Sequence, residues 1–172
     1  MSEVEDKGTA DINRKRRLLR FSCNFNPFPG DAESFPQRLH KEKVLLYKLN
    51  KSMDGLKVRF VVAVVTDEYS SVFVRYSRDN WSSETDIELT PAGSFAPSGS
   101  SDASTNGCLY SAVVPLSVLM PMENDSIQFR VGCSDGRLVK FDNNGSVMYE
   151  VQRLPSDPNH NTPINPGQSH IL

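Results

Sequence analysis

The sequence predicts an all-β fold: an antiparallel β-sandwich of about eight short strands, flanked by tails expected to be disordered. Three observations carry that expectation. Apolar residues recur at every second position through much of the middle of the chain, the period of a pleated strand and not of a helix. The turn-forming triplets Met53-Asp54-Gly55, Ser134-Asp135-Gly136 and Asn143-Asn144-Gly145 fall between such runs, where a reversing chain needs residues that tolerate positive φ. No stretch shows a long amphipathic helical repeat.

Taken in order, residues 1–13 are acidic and polar and lead into Arg14-Lys15-Arg16-Arg17, so a flexible segment is expected over 1–24. A strand is expected at 44–49. In 56–65, Val58, Phe60, Val62 and Val64 share one face and Val61, Ala63 and Val65 the other; a run apolar on both faces reads as a central strand. Val72, Val74 and Tyr76 alternate with Phe73, Arg75 and Ser77, and strands at 85–89 and 108–114 follow. Between those two, 90–107 is rich in Ser, Gly, Pro and Ala and is expected to be a long loop. The cleanest alternation is 126–133, with Ile127, Phe129, Val131 and Cys133 opposed to Gln128, Arg130 and Gly132. Strands at 137–141 and 147–152 close a domain expected over 25–153. Residues 154–172 carry Pro155, Pro158, Pro163 and Pro166 among Asn, Ser and Gly; proline lacks a backbone donor, so this tail is expected to stay out of the sheets.

Composition narrows the function. The 172 residues suit one domain, and a net charge of −2 with a pI near 5.9 speaks against a protein that binds nucleic acid by charge. No apolar run reaches the roughly 20 residues of a membrane span, and no signal-peptide core opens the chain. Cys23, Cys108 and Cys133 are an odd set without CxxC spacing, His40 stands beside Arg38, Lys41 and Lys43, and His160 and His170 lie in the polar tail. Free thiols in a reducing, cytoplasmic setting are expected, with no metal and no cofactor. No catalytic residue is expected either. Glycoside hydrolysis needs two carboxylates flanking a bond, and the acidic residues here fall in turns and tails. Nucleophile elbows and phosphate loops are also missing from the sequence.

Two aromatic segments stand out. The single tryptophan, Trp81, lies in the polar run Arg78-Asp79-Asn80-Trp81-Ser82-Ser83 just past a strand. It either folds back on the sandwich edge or serves as a flat platform beside amides, an arrangement suited to the apolar C–H faces of sugars. Phe141-Asp142-Asn143-Asn144-Gly145, with Tyr149 soon after, offers the same pairing or a plain hairpin turn.

The order and spacing of three stretches go further: Phe25-Asn26-Pro27-Phe28-Pro29 with Phe35, Arg38-Leu39 and Val44-Leu45-Leu46; Val72-Phe73-Val74-Arg75-Tyr76-Ser77-Arg78-Asp79-Asn80-Trp81; and Ile127-Gln128-Phe129 with Phe141-Asp142-Asn143-Asn144 and Tyr149-Glu150-Val151. Together they resemble carbohydrate-binding module family 21, in the form found in glycogen-targeting regulatory subunits of protein phosphatase-1. The resemblance implies an immunoglobulin-like sandwich that binds glycogen or another α-glucan, associated with glycogen in the cytoplasm. It implies Trp81 and Phe141 as stacking surfaces, Asp142, Asn143 and Asn144 as shaping the site and reaching sugar hydroxyls, Tyr149 as a further sugar-binding residue beside them, and Tyr69 at a second sugar site. Phe141 replaces the tryptophan usual in those subunits and Met148 an asparagine, so weaker glucan affinity is expected.

The resemblance also implies docking of the phosphatase catalytic subunit, and through it proximity to glycogen synthase or phosphorylase. Docking of that kind inserts a valine or isoleucine and an aromatic from an extended peptide. Lys57-Val58-Arg59-Phe60 fits by letter, but its Val58 and Phe60 belong to the expected core face. Arg17-Leu18-Leu19-Arg20-Phe21 is a looser fit in a basic segment, with Arg17, Leu19 and Phe21 as docking residues unless they pack on the sandwich. The alternative is a stand-alone α-glucan-binding or interaction module without phosphatase binding.

Overall fold

The computed structural model describes residues 20–96, 106–155 and 170–171. Their elements are β1 (Phe21–Cys23), α1 (Phe35–Glu42), β2 (Val44–Lys51), β3 (Lys57–Val64), β4 (Ser71–Ser77), β5 (Thr85–Glu88), β6 (Thr90–Phe95), β7 (Gly107–Pro115), α2 (Leu116–Leu119), β8 (Ser126–Ser134), β9 (Val139–Asp142), β10 (Tyr149–Arg153) and β11 (His170–Ile171). The strands form two antiparallel sheets. A seven-stranded sheet runs β11-β1-β10-β8-β4-β5 with β9 also on β8, and a four-stranded sheet runs β2-β3-β7-β6. The all-β sandwich expected from the period-two pattern is present, and each of the eight expected strands is found within a few residues.

The inner faces pack on one another as the alternation requires. Val58, Phe60, Val62 and Val64 of β3 meet Val72, Val74 and Tyr76 of β4 and Ile127, Phe129, Val131 and Cys133 of β8 in one buried cluster. Burying each large apolar side chain contributes roughly 1.5–3 kcal/mol. A bulge between Leu46 and Lys48 in the β2–β3 ladder resets the pleat, which is why Leu46 and Leu49, three positions apart, both enter that core. The second apolar face of β3 is covered too. α1 lays Phe35 and Leu39, one helical turn apart, over Leu45 and Ala63 on the outside of the four-stranded sheet. The helix stops at Lys43, whose left-handed φ of 75° lets its N–H return to the Leu39 carbonyl.

Several boundaries differ from expectation. Phe21–Cys23 is a strand of the larger sheet, paired with Val151–Arg153, and Phe21 and Cys23 are buried in the core. The folded unit therefore starts before residue 25. Within the expected loop 90–107, Thr90–Phe95 is an edge strand on β7 and Gly107 already belongs to β7. Pro91 is tolerated because an edge strand has one side without ladder bonds. His170 and Ile171 pair with Cys23 and Ser22, so the end of the chain does join a sheet. Residues 1–19, 97–105, 156–169 and 172 of the expected tails and loop lie outside the described residues.

Candidate functional site

The side chains that β4 and β8 turn away from the core build a second, mixed layer on the outer face of the seven-stranded sheet. Phe73, Gly132 and Phe141 are cross-strand neighbours on β4, β8 and β9. The two phenyl rings meet edge to face, with centroids 5.8 Å apart, above Gly132. A Cβ on Gly132 would stand 2.8 Å from the Phe73 ring and 3.0 Å from that of Phe141, so the absence of a side chain there is what lets the rings close over the strand. One step along the ladder Arg75 faces Arg130. Arg75 donates Nε and Nη2 to Asp86 at 2.7 and 2.8 Å and lies over both phenyl rings, 5.3 Å from Phe73 and 5.5 Å from Phe141. Glu84 approaches Arg75 at 3.6 Å and Arg130 at 3.8 Å, standing between two like charges.

Trp81 reaches this layer from the β4–β5 loop. The loop is organised by Asp79, which accepts bonds from the Ser83 N–H and hydroxyl at 2.8 and 2.6 Å and from the Ser77 hydroxyl at 2.8 Å. Those donors, Ser83 first, hold the Asp79 carboxyl down at about 2. Ser77 Oγ in turn accepts the Trp81 N–H at 2.9 Å. Asn80 and Trp81 are both left-handed, at φ 55° and 67°, a conformation that costs an ordinary residue roughly 1–3 kcal/mol. The half-buried indole has the Arg130 guanidinium 5.4 Å from its ring centroid. Its Nε1–H is buried with no acceptor among the described residues. Two shallow grooves flank the loop: one of about 330 Å³ lined by Ser77, Arg78, Asp79 and Thr85, the other of about 290 Å³ lined by Asp79, Asn80, Ser126 and Gln128.

Trp81 and Phe141 are thus brought to one face, as the sequence suggested, but not as two open rings. Arg130 joins them, its guanidinium carbon 4.0 Å from the Phe141 centroid. Arg130, Arg75, Phe73, Glu84 and Gly132 were not among the candidates. For Arg130, Arg75, Phe73 and Gly132 the sequence signal was their outward place in the alternation of β4 and β8; Glu84, in the loop before β5, had none.

The segment after Phe141 departs from expectation. β9 and β10 lie along the same side of β8: Asp142 pairs with Val131 and Tyr149 with Phe129. The chain from 143 to 148 loops out between them, opposite Arg130, using left-handed Asn144, Gly145, Ser146 and Met148. Asp142 and Tyr149 therefore both face inward. Buried Asp142 accepts the Leu46 N–H at 2.8 Å and the Tyr149 hydroxyl at 2.5 Å, tying β9 to the edge of the other sheet. Tyr149 is 5% exposed and stacks on Phe129 at 5.1 Å; burial, then the Asp142 charge, raises its pKa. Neither group is placed to touch a sugar; both are structural. Asn143 and Asn144 are half-buried on the loop, where Asn143 Oδ1 accepts the Ser146 N–H and Asn144 Nδ2 donates to the Met148 carbonyl.

Tyr69 precedes β4 and so lies at the opposite end of that strand from Trp81. It packs against the core, and burial followed by the Cys133 thiol pushes its pKa up to about 12. The structure does not bring it together with the other candidates. Of the looser docking segment, Arg17 and Leu19 lie outside the described residues, whereas Phe21 is fully buried and strand-paired. Phe21 is a core residue and is not free to insert elsewhere while β1 stays paired. Val58 and Phe60 are core residues as expected.

No family profile matches the chain, and no curated protein matches it in sequence. Solved structures do match. One of them is the solution structure of the carbohydrate-binding module of the muscle glycogen-targeting subunit of protein phosphatase-1, with a TM-score of 0.59, 17% identity, and coverage of 81% of this chain and 95% of that one. The chain has that module's fold. At this identity the likeness speaks for the sandwich, and any role for the Trp81 face must come from its own residues.

Proposed function

We propose that this chain is a non-catalytic module that binds α-glucan such as glycogen on the outer face of its seven-stranded sheet, around Trp81 and Phe141. The observation that carries this reading is the gathering of a loop tryptophan and a strand phenylalanine about one guanidinium, on a face whose β4–β5 loop is flanked by grooves lined with hydroxyl and amide groups and the charged Arg78 and Asp79. Aromatic faces with a few fixed polar groups suit pyranose rings, and a module of the same fold is a carbohydrate-binding one. Co-sedimentation with glycogen tests it. The Trp81→Ala variant is expected to lose about 1–3 kcal/mol of binding, the range for removing one stacking aromatic, or about 5- to 150-fold in affinity. Unchanged sedimentation of a folded variant refutes it.

The finer reading is a cytoplasmic regulatory subunit that carries protein phosphatase-1 to glycogen and so to glycogen synthase or phosphorylase, by raising effective concentration. It is supported by the resemblance of 25–46, 72–81 and 127–151 and by the origin of the structural neighbour. The burial of Phe21, Val58 and Phe60 favours a second reading, a glucan-binding module without the phosphatase. Pull-down of the phosphatase catalytic subunit by the full chain separates them: capture supports targeting, and its absence leaves the stand-alone module.

A further inference from the structure

We propose that Arg130 sets the affinity of this face for neutral sugars by acting as a displaceable cover on Phe141. The inference rests on the glucan reading above and adds to it a specificity-determining residue.

The geometry distinguishes the two arginines of the layer. Arg75 is anchored, with a bidentate pair to Asp86 at 2.7 and 2.8 Å. Arg130 is not: among the described residues its one charged contact is Glu84 at 3.8 Å, beyond hydrogen-bond length. Its Nε–H is buried without an acceptor, and it faces the like charge of Arg75 directly across the ladder, an unfavourable placement. What holds it is the aromatic surface. At 4.0 Å from the Phe141 centroid the guanidinium occupies the position a pyranose would take to stack on that ring.

The β8 ladder is open on one side of Arg130. β9 ends at Asp142 opposite Val131 and β10 begins at Tyr149 opposite Phe129, so on the side of β8 away from β4 Arg130 has no ladder partner, and there the chain loops out. Gly132 fixes Phe141 from below, Phe73 holds its edge, and Arg130 is the removable contact. A neutral ring entering the face then exchanges a poorly satisfied cation for C–H contacts, while the guanidinium moves out to water or toward Glu84. At rest Arg130 sits between the two rings, nearer Phe141 than Trp81, and Phe141 becomes available only after that exchange, so part of the stacking energy is spent on the displacement.

Calorimetric titration with maltoheptaose tests this, on variants whose circular dichroism matches the parent. R130A is expected to bind at least fivefold tighter than the parent, and F141A combined with R130A to lose that gain. R130K keeps the charge but not the flat cover, and it is expected to show a smaller gain; should R130A fail to fold, R130K carries the test. Equal or weaker binding by the Arg130 variants, with parent binding still dependent on Trp81, overturns the cover and leaves the glucan reading standing. Failure of parent and variants alike to bind removes the glucan reading and the cover with it.

Discussion

Replacing Tyr149 by phenylalanine separates a structural role from a binding one. In the structure the phenol stacks on Phe129 at 5.1 Å, meets Phe25 edge-on at 4.8 Å and donates to Asp142 at 2.5 Å. The variant keeps the ring and its packing and loses only the bond to the carboxylate. Hydrogen bonds to charged groups contribute about 1.5–3 kcal/mol, and Asp142 retains its bond from Leu46 N–H at 2.8 Å, which puts the loss within that range. With a urea m value of about 1–3 kcal/mol/M for a small domain, the unfolding midpoint should fall by about 1 M. Followed by far-ultraviolet circular dichroism, the transition should keep its slope. Glucan affinity of the folded variant should stay within about twofold, a change of under about 0.5 kcal/mol. An unmoved midpoint refutes the Asp142 pairing. A tenfold loss of affinity without loss of stability refutes the assignment of Tyr149 to the core.

Other consequences are as direct. Gly132→Ala places a methyl group 2.8 Å from Phe73 and 3.0 Å from Phe141 and should cost about 1–3 kcal/mol by overpacking, read by thermal unfolding; a neutral result denies the close approach of the rings over β8. Phe21→Ala opens the core at a fully buried ring and should cost about 3–5 kcal/mol, so phosphatase capture lost with it counts as unfolding unless the variant melts like the parent. In alkali, Cys23 is held up to about 12 by burial, as is Tyr69, and Tyr149 is raised as well. Each stays protonated in the fold after it ionises in the unfolded chain, so stability should be complete below about pH 9 and fall as pH rises toward 12, by up to about 1.4 kcal/mol per pH unit for each of the well-buried Cys23 and Tyr149 and by less for the partly exposed Tyr69. Urea midpoints that hold constant from pH 8 to 11 contradict this burial. In acid the sign reverses: Asp79, lowered from 3.8 to about 2, stabilises the loop above its ordinary value and loses that contribution as pH falls through 2. The Ser83→Ala variant should show less of that acid loss in Trp81 fluorescence.

How much of this the sequence disclosed depends on the length and contrast of each signal. β8 was legible because strict alternation over nine residues leaves little choice of face, and β3 because a run of eight residues apolar on both faces beyond Arg59 reads as a central strand. β1 has three residues, too few for a period, and β6 is written in Thr, Pro, Ala, Gly and Ser before a single Phe95, close to the composition of a loop; its strand character comes from pairing with β7. α1 hid because one turn of helix-spaced apolar residues, Phe35 and Leu39, is all that it buries. Trp81 was legible as a loop aromatic. The inward turn of Asp142 and Tyr149 was not, since it depends on the 143–148 excursion returning the strand to the same side of β8. Arg130 could be placed on the outer face by parity, but its meeting with two rings distant in sequence is a fact of three strands and a loop coming together.

Chemical-shift mapping of the labelled protein with maltoheptaose bears most directly on the site. The expected result is saturable movement of the Trp81 indole Nε1–H together with backbone amides of 79–83, 130–132 and 141–145. Shifts confined to the surroundings of Tyr69 and Cys133, or no shifts at millimolar sugar, would contradict a glucan site at the Trp81–Arg130–Phe141 layer.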